Sequence, residues 1–308
     1  MHGRDAHATT AATKPSLYAE FKSRGLSPRK AFGQNFMIDA NFAAAIARDA
    51  APGAGTLTLE IGPGAGALTR AILAADKDAR VLAVEIDRGL AALLRETFAA
   101  GIAAGRLTLI EGDVLASKHA LSDEFVTAAL EISARENRPR RVLCANLPYN
   151  VATPLLANFA ADRRALGVQS AVATLQLELA QRLFAAPGST EYGALTAFMA
   201  MRATGSIIRR VGNEVFWPRP NVDSAVIRLD YLPFAPVAMD ESSLTREETE
   251  GFQGFLQKLF SHRRKTLRAV LKPFPISPAL GIAEHARAED LAPQILLRLF
   301  RSTRSGIK

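Results

Sequence analysis

The chain has 308 residues, 48% hydrophobic and 22% charged, with a formal net charge of +8. That length and apolar fraction can close one large core, or one large and one small domain, and they exclude a disordered chain. The excess of 38 basic over 30 acidic residues suits a polyanionic partner such as nucleic acid without establishing one.

A single cysteine, Cys144, rules out an internal disulfide. Five scattered histidines, with no Cys-x-x-Cys or His-Glu-x-x-His, give no reason to expect a zinc or other metal site. Cys144 lies in an apolar run and reads as a small core residue rather than a nucleophile. No apolar run reaches the ~20 residues of a membrane span. Residues 1–15, "MHGRDAHATTAATKP", lack an apolar signal core and read as a loose tail, so a reducing cytoplasm is the expected compartment.

In chain order, Ser16 can cap a short helix that stops at Gly25, and the basic stretch "SPRKAFGQNFMID" follows. Asp39 then caps an alanine-rich helix to about Ala50. "TLTLEI" is a short strand ending in a glycine loop, "LTRAILAA" a helix, "RVLAVEI" a strand and "GLAALLRETFAA" a helix. "LTLIEGDV" and "RVLCANL" are the third and fourth strands, the stretch from Ala116 to Arg138 between them looping away from the site. "TPLLANFAA" is helical, "AVATLQ" a fifth strand and "LELAQRLF" a helix. Such alternation predicts an α/β fold, a mostly parallel sheet with helices on both faces and ligands at the carboxyl ends of the strands. "SIIRRV" and "DSAVIRLDYL" lack a crossover helix, which pairs them antiparallel at one edge. From about Thr245 the chain is helical and basic, and a domain boundary falls near Phe234.

The loop Gly62-Pro63-Gly64-Ala65-Gly66 turns sharply and lets backbone approach a ligand, and Gly62, Gly64 and Ala67 satisfy the relaxed dinucleotide spacing. It reads as a nucleotide-type cofactor loop, with a plain structural turn as the alternative. Glu85, ending the second strand in "VEID", can accept from ribose hydroxyls of NAD or of S-adenosylmethionine (SAM) alike. Asp87 reads as a helix cap. Asp113, ending the third strand, can accept from an adenine amino group or simply close a turn. A glycine loop and two acids at three successive strand ends favour a SAM methyltransferase over a dehydrogenase.

The fourth strand ends in "ANLPYN". An adenine amine is a poor nucleophile because its lone pair is delocalised into the ring. Two acceptors on its N–H groups would draw the nitrogen toward a tetrahedral form and free that pair. Asn146 can supply a side-chain oxygen and Leu147 a backbone carbonyl, which Pro148 holds by restricting the chain. Tyr149 can stack on the base, worth roughly 1–3 kcal/mol. A dehydrogenase would leave this turn unexplained.

"ANLPYN" resembles the Asn-Leu-Pro-Tyr signature of amino-group methyltransferases. With "EIGPGAG", "VEID" and "GDV" upstream it is similar to the ribosomal RNA adenine N6-dimethyltransferases, and "FGQNFMID", "VFWPRPNVDSAVIRL" and "HRRKTLR" extend the resemblance from about Lys30 to Leu271. It is closest to members acting on small-subunit (16S) rRNA. The resemblance implies a Rossmann-like methyltransferase domain over residues 16–234 and a small helical RNA-binding domain over 235–308. It also implies SAM as donor, and as targets two adjacent adenines of small-subunit rRNA within an assembling 30S subunit, met by a monomer. By motif, Asn35, Met37, Gly62, Gly64, Glu85, Asp113 and Asn146 would contact SAM. Asn146, Leu147, Pro148 and Tyr149 would hold the base, and Phe216 would stack on its other face. Met37 stands where the family usually has Leu, a volume-conserving change. Leu177 stands where the family usually has a polar residue.

Arg264, Lys265, Arg268 and Lys272 share a broad face at helical spacing and, with Arg263, would meet RNA phosphates. Arg29 and Lys30 would do so beside Asn35. Two rival readings are a large-subunit (23S) rRNA methyltransferase of the antibiotic-resistance type and a ribosome-assembly factor acting mainly by binding.

Overall fold

The computed structural model describes residues 14–29, 32–162, 164–234, 243–272, 276 and 278–305. In chain order its elements are α1 (Lys14–Ser23), β1 (Phe36–Met37), α2 (Ala40–Ala50), β2 (Thr56–Ile61), α3 (Ala67–Ala75), β3 (Arg80–Glu85), α4 (Arg88–Thr97) and α5 (Ala99–Ala103). Then come β4 (Leu107–Glu111), β5 (Leu115–Ser117), β6 (Ala120–Leu121), α6 (Asp123–Arg135), β7 (Arg140–Asn146), α7 (Tyr149–Ala161), β8 (Ser170–Gln176), α8 (Leu177–Leu183) and α9 (Ala194–Ala200). The chain closes with β9 (Ala203–Val211), β10 (Phe216–Trp217), β11 (Ser224–Tyr231), α10 (Thr249–Ser261), α11 (Leu267–Val270) and α12 (Pro293–Ser305).

The main sheet runs in the order β4-β3-β2-β7-β8-β11-β9. Its first five strands are parallel, and β11 pairs antiparallel with both β8 and β9, the edge arrangement expected from the missing crossover helix. All six residues of β2 are buried, as a strand covered on both faces requires. Alternate residues divide between two cores. Leu57, Leu59 and Ile61 join Leu143, Ala145, Phe125 and Leu155 on the α6 and α7 face. Val142, Cys144 and Val172 meet Ile46, Leu68 and Ile72 from α2 and α3 on the other.

Local signals set the helix starts. The Asp39 carboxylate accepts from the Phe42 amide at 2.9 Å at the head of α2, and Asp87 accepts from Gly89 and Leu90 at the head of α4. Cys144 is fully buried and burial raises its thiol pKa, the behaviour of a core residue. Two expectations need correction. The stretch from Ala116 to Arg138 contributes nothing to the cavity lining, but it is not a loop: it completes the β5–β6 hairpin and then forms α6, whose Phe125, Val126, Ala129 and Ile132 are buried in the core. Nor do the basic residues after Ser261 share one helical face. The helix ends there, residues 262–264 form a turn, and α11 begins afresh at Leu267. The larger core continues without a break into the C-terminal helices through Phe252, Leu256, Leu296 and Leu297.

Candidate active site

A cavity opens at the carboxyl ends of β2, β3 and β7, lined by the glycine loop, Glu85, the Asn146–Pro148 turn and residues 32–37. Gly62, Gly64 and Gly66 all have positive φ, at 68°, 59° and 80°. At Gly64 a Cβ would also lie 2.9 Å from the Phe36 ring, so the turn needs glycine for conformation and for room. Glu85 is buried, and its two carboxylate oxygens accept from the Gly64 and Asp87 amides, each at 2.9 Å. Burial pushes its pKa up, and those two amides oppose the rise. Its geometry suits a ribose diol, because each oxygen keeps a second lone pair for a hydroxyl donor. Asp87 is occupied as a cap and faces the Arg29 guanidinium at 3.3 Å, which agrees with its reading as a cap.

A two-residue antiparallel ladder closes the opposite wall. Phe36 pairs with Trp217 and Met37 with Phe216, joining two stretches far apart in sequence. Phe216 is buried, packs edge-on to Phe42 with ring centres 6.1 Å apart, and lines the cavity with Met37 and Asn35. The Asn146 amide nitrogen donates to the Asn35 carbonyl at 3.0 Å. That bond turns the other end of the amide away from Asn35, and no described side chain or backbone group donates to the Asn146 Oδ1. Leu147 donates its amide to the Thr174 carbonyl at 3.2 Å, and Pro148 is the N-cap of α7 at φ −58°. Tyr149 starts α7, and its side chain lies outside the described part of the structure.

Glu60 and Thr174 are polar cavity residues that no motif announced. Glu60, on β2, is buried and its carboxylate accepts from the Thr69 hydroxyl at 2.7 Å. Burial, assisted by the nearby Glu85 charge, pushes its pKa up to about 8. Thr174, register partner of Asn146, is buried with its hydroxyl unpartnered. An acid inside "TLTLEI" was the one available signal for Glu60, since a charged side chain in a doubly covered strand must face something polar.

Asp113 is placed differently from the other cofactor candidates. It is exposed beyond β4, accepts from the Leu115 amide at 2.8 Å, and lines a second cleft rather than the first cavity. Of the basic candidates, Arg29 sits beside the cavity wall, where it faces Asp87 and lies 5.8 Å from the Phe32 ring centre. Lys30 lies outside the described residues. Arg263 is paired with Glu289 and with the Ser189 carbonyl, and Arg268 with Glu284 at 3.0 Å. Arg264 and Lys265 are exposed and without an ion pair among the described residues. Among those residues, no cluster of His, Cys, Asp or Glu could hold a metal ion, and no helix is long and apolar enough to cross a membrane.

A parallel sheet carrying a glycine loop, a buried acid and an amide turn on neighbouring strand ends, with an antiparallel pair at one edge, defines a methyltransferase of Rossmann-like fold. The family model for "Ribosomal RNA adenine dimethylase" matches residues 25–304, and the chain belongs to that family. It is 38% identical over 285 residues to a "Ribosomal RNA small subunit methyltransferase A" of Leifsonia xyli subsp. xyli, covering 89% of this chain and 92% of the relative. A relative of the same name from Phenylobacterium zucineum is 37% identical over 280 residues, covering 90% and 88%. Among solved structures, a dimethyladenosine transferase from Plasmodium falciparum superposes with a TM-score of 0.65 at 21% identity, over 88% of this chain and 98% of that one. The 23S rRNA methyltransferase ErmE superposes at 0.59 and 22% identity, over 88% and 100%. These two likenesses establish the fold. Family membership makes the protein an rRNA adenine methyltransferase and removes the dehydrogenase reading.

Proposed function

We propose that this protein uses SAM to dimethylate N6 of two adjacent adenines in small-subunit rRNA. The substrate is an assembling 30S subunit, and the enzyme acts as a cytoplasmic monomer. Residues 16–234 carry the chemistry and 235–308 contribute RNA contacts. The observation that supports this most directly is the anchored amide of Asn146: its nitrogen is committed to Asn35, so its oxygen is the end available to an incoming amine. The curated relatives' names support the small subunit over the resistance-type alternative.

SAM, when bound, supplies a methyl group on a positively charged sulfur. The residues of this chain do the rest. Gly62 and Gly64 let backbone approach the cofactor, and Glu85 accepts from its ribose. Asn35 and Met37 complete the cofactor contacts carried over from the family motifs, and Asp113 is the one carried-over candidate that stands outside this cavity. The Asn146 oxygen and the Leu147 carbonyl accept the adenine N–H groups, which localises the nitrogen lone pair for attack. Tyr149 and Phe216 hold the ring between them. After one transfer the methylated nitrogen gives up one proton to water, and a single N–H remains, enough for one acceptor to position the second transfer. Arg29, Lys30, Arg264 and Lys265 meet RNA phosphates.

Labelling of undermethylated small subunits with tritiated SAM, followed by mapping of the modified nucleotides, tests the proposal. Two neighbouring dimethylated adenines in small-subunit rRNA are expected. Label confined to large-subunit rRNA, or no label on adenine, would overturn it.

A further inference from the structure

A second cleft lies on the far side of the Asn146 turn from the glycine loop. Its walls are the β5–β6 hairpin, α7, α9 and α10. We propose that this cleft receives the RNA base next to the adenine being methylated, so that the enzyme reads a neighbouring nucleotide as well as its target. The inference rests on the function proposed above.

Three observations support it. The first is continuity. Asn146–Pro148 line the first cavity, and Val151, Thr153 and Pro154 line the second. At about 1.5 Å of rise per helical residue, Pro148 and Val151 are about 4.5 Å apart along α7. The two linings therefore follow one another along the start of α7, and the second cleft is the next recess along that helix from the Asn146 turn.

The second observation is chemical. Val151, Pro154 and Phe198 offer apolar surface to the faces of a base, Gln257 offers an amide donor and acceptor to its edge, and Lys118 at the rim offers a cation to its phosphate. Gln253 stands beside Gln257, and Asp113 and His119 stand with Lys118 on the hairpin side, so the cleft pairs apolar surface for the faces of a base with both donors and acceptors for its edge.

The third is that the walls are fixed before any ligand arrives. The Asn158 amide on α7 donates to the Lys118 carbonyl at 3.1 Å, tying the hairpin to the helix. On the opposite side, Phe252 and Leu256 root α10 in the main core beside Phe198. A cleft with fixed walls binds without an ordering cost.

The consequence is an asymmetry. The site fixes the direction of the RNA strand, so the cleft always takes the neighbour from the same side. For one target that neighbour is the other adenine; for the other target it is the base beyond the pair. A cleft that reads base edges must therefore treat the two targets unequally.

Single-turnover methylation of undermethylated small subunits, with each adenine quantified separately by mass spectrometry, tests this. The variants are Ala157→Trp, which fills the cleft from α7, and Gln257→Ala, which removes the amide. Expected is a change of about tenfold in the ratio of the two methylation rates for Ala157→Trp. A change of about threefold in the same direction is expected for Gln257→Ala, with SAM affinity unchanged in both. If Ala157→Trp fails to fold, Gln257→Ala decides alone. A parental ratio in the folded variants overturns the inference, including the case where both rates fall together, which would mean that the cleft only grips RNA or a ribosomal protein. A parent enzyme that methylates no small-subunit adenine would instead sink the proposed function, and this inference with it.

Discussion

Glu60→Gln probes the most unusual group in the cavity. The native carboxyl keeps its proton until about pH 8, whereas the unfolded chain releases it near 4.5. Between those values the unfolded state binds fewer protons than the native state, so this residue makes stability fall as pH rises. The interval from 4.5 to about 8 corresponds to about 5 kcal/mol at about 1.4 kcal/mol per pH unit. That is an upper bound, because Glu60 lines the cavity and water entering there solvates the ionised form. Glutamine keeps an oxygen to accept from Thr69 and carries no charge at any pH. Groups common to both proteins cancel in the comparison. Only about 3 kcal/mol of that interval falls between pH 5.5 and 8.5, so at about 2 °C per kcal/mol for a domain of this size the parent should lose up to roughly 6 °C of Tm relative to the variant over that range. Calorimetric melting of both proteins across that range is the assay. Tm curves that stay parallel would show that Glu60 ionises normally in the fold and would refute the reasoning.

Asn146→Ala should cut the single-turnover methylation rate by orders of magnitude at saturating SAM while RNA affinity barely moves, since its acceptor acts in the transition state; a parental rate would make the amide structural. Tyr149→Ala, measured alongside, should weaken capture of the base as well as slow transfer. Glu85→Ala should weaken SAM binding about tenfold or more in a calorimetric titration, because a hydrogen bond to a charged acceptor is worth roughly 1.5–3 kcal/mol. Unchanged affinity would remove Glu85 from the cofactor site. The double change Arg264→Ala with Lys265→Ala should leave SAM affinity alone and flatten the salt dependence of RNA binding by about 0.7–0.9 log units for each phosphate that is no longer neutralised; an equal slope would mark these two side chains as merely solvated.

Sequence alone determined whatever depends on neighbours along the chain. The alternation of strands and helices required a parallel sheet covered on both faces, and the missing crossover helix required the antiparallel edge that β11 and β9 form. Asp39 and Asp87 announced their helices, because a cap acts on amides two or three residues away. Gly62 and Gly64 announced the loop, because only glycine takes those φ values readily. Spacing could not show which distant stretches meet. The pairing of Phe36 and Met37 with Trp217 and Phe216 spans the length of the main domain, and no local pattern encodes it. The anchoring of the Asn146 amide on the Asn35 carbonyl depends on that same closure. The acid in "TLTLEI" was visible, but its raised pKa follows from how many layers bury it, which only packing decides. Likewise the basic residues after Ser261 kept helical spacing in sequence while the helix itself ended. Folding gave Arg263 and Arg268 to Glu289 and Glu284, which lie more than fifteen residues further on, and left Arg264 and Lys265 to solvent, because an ion pair forms with whatever carboxylate the fold brings near.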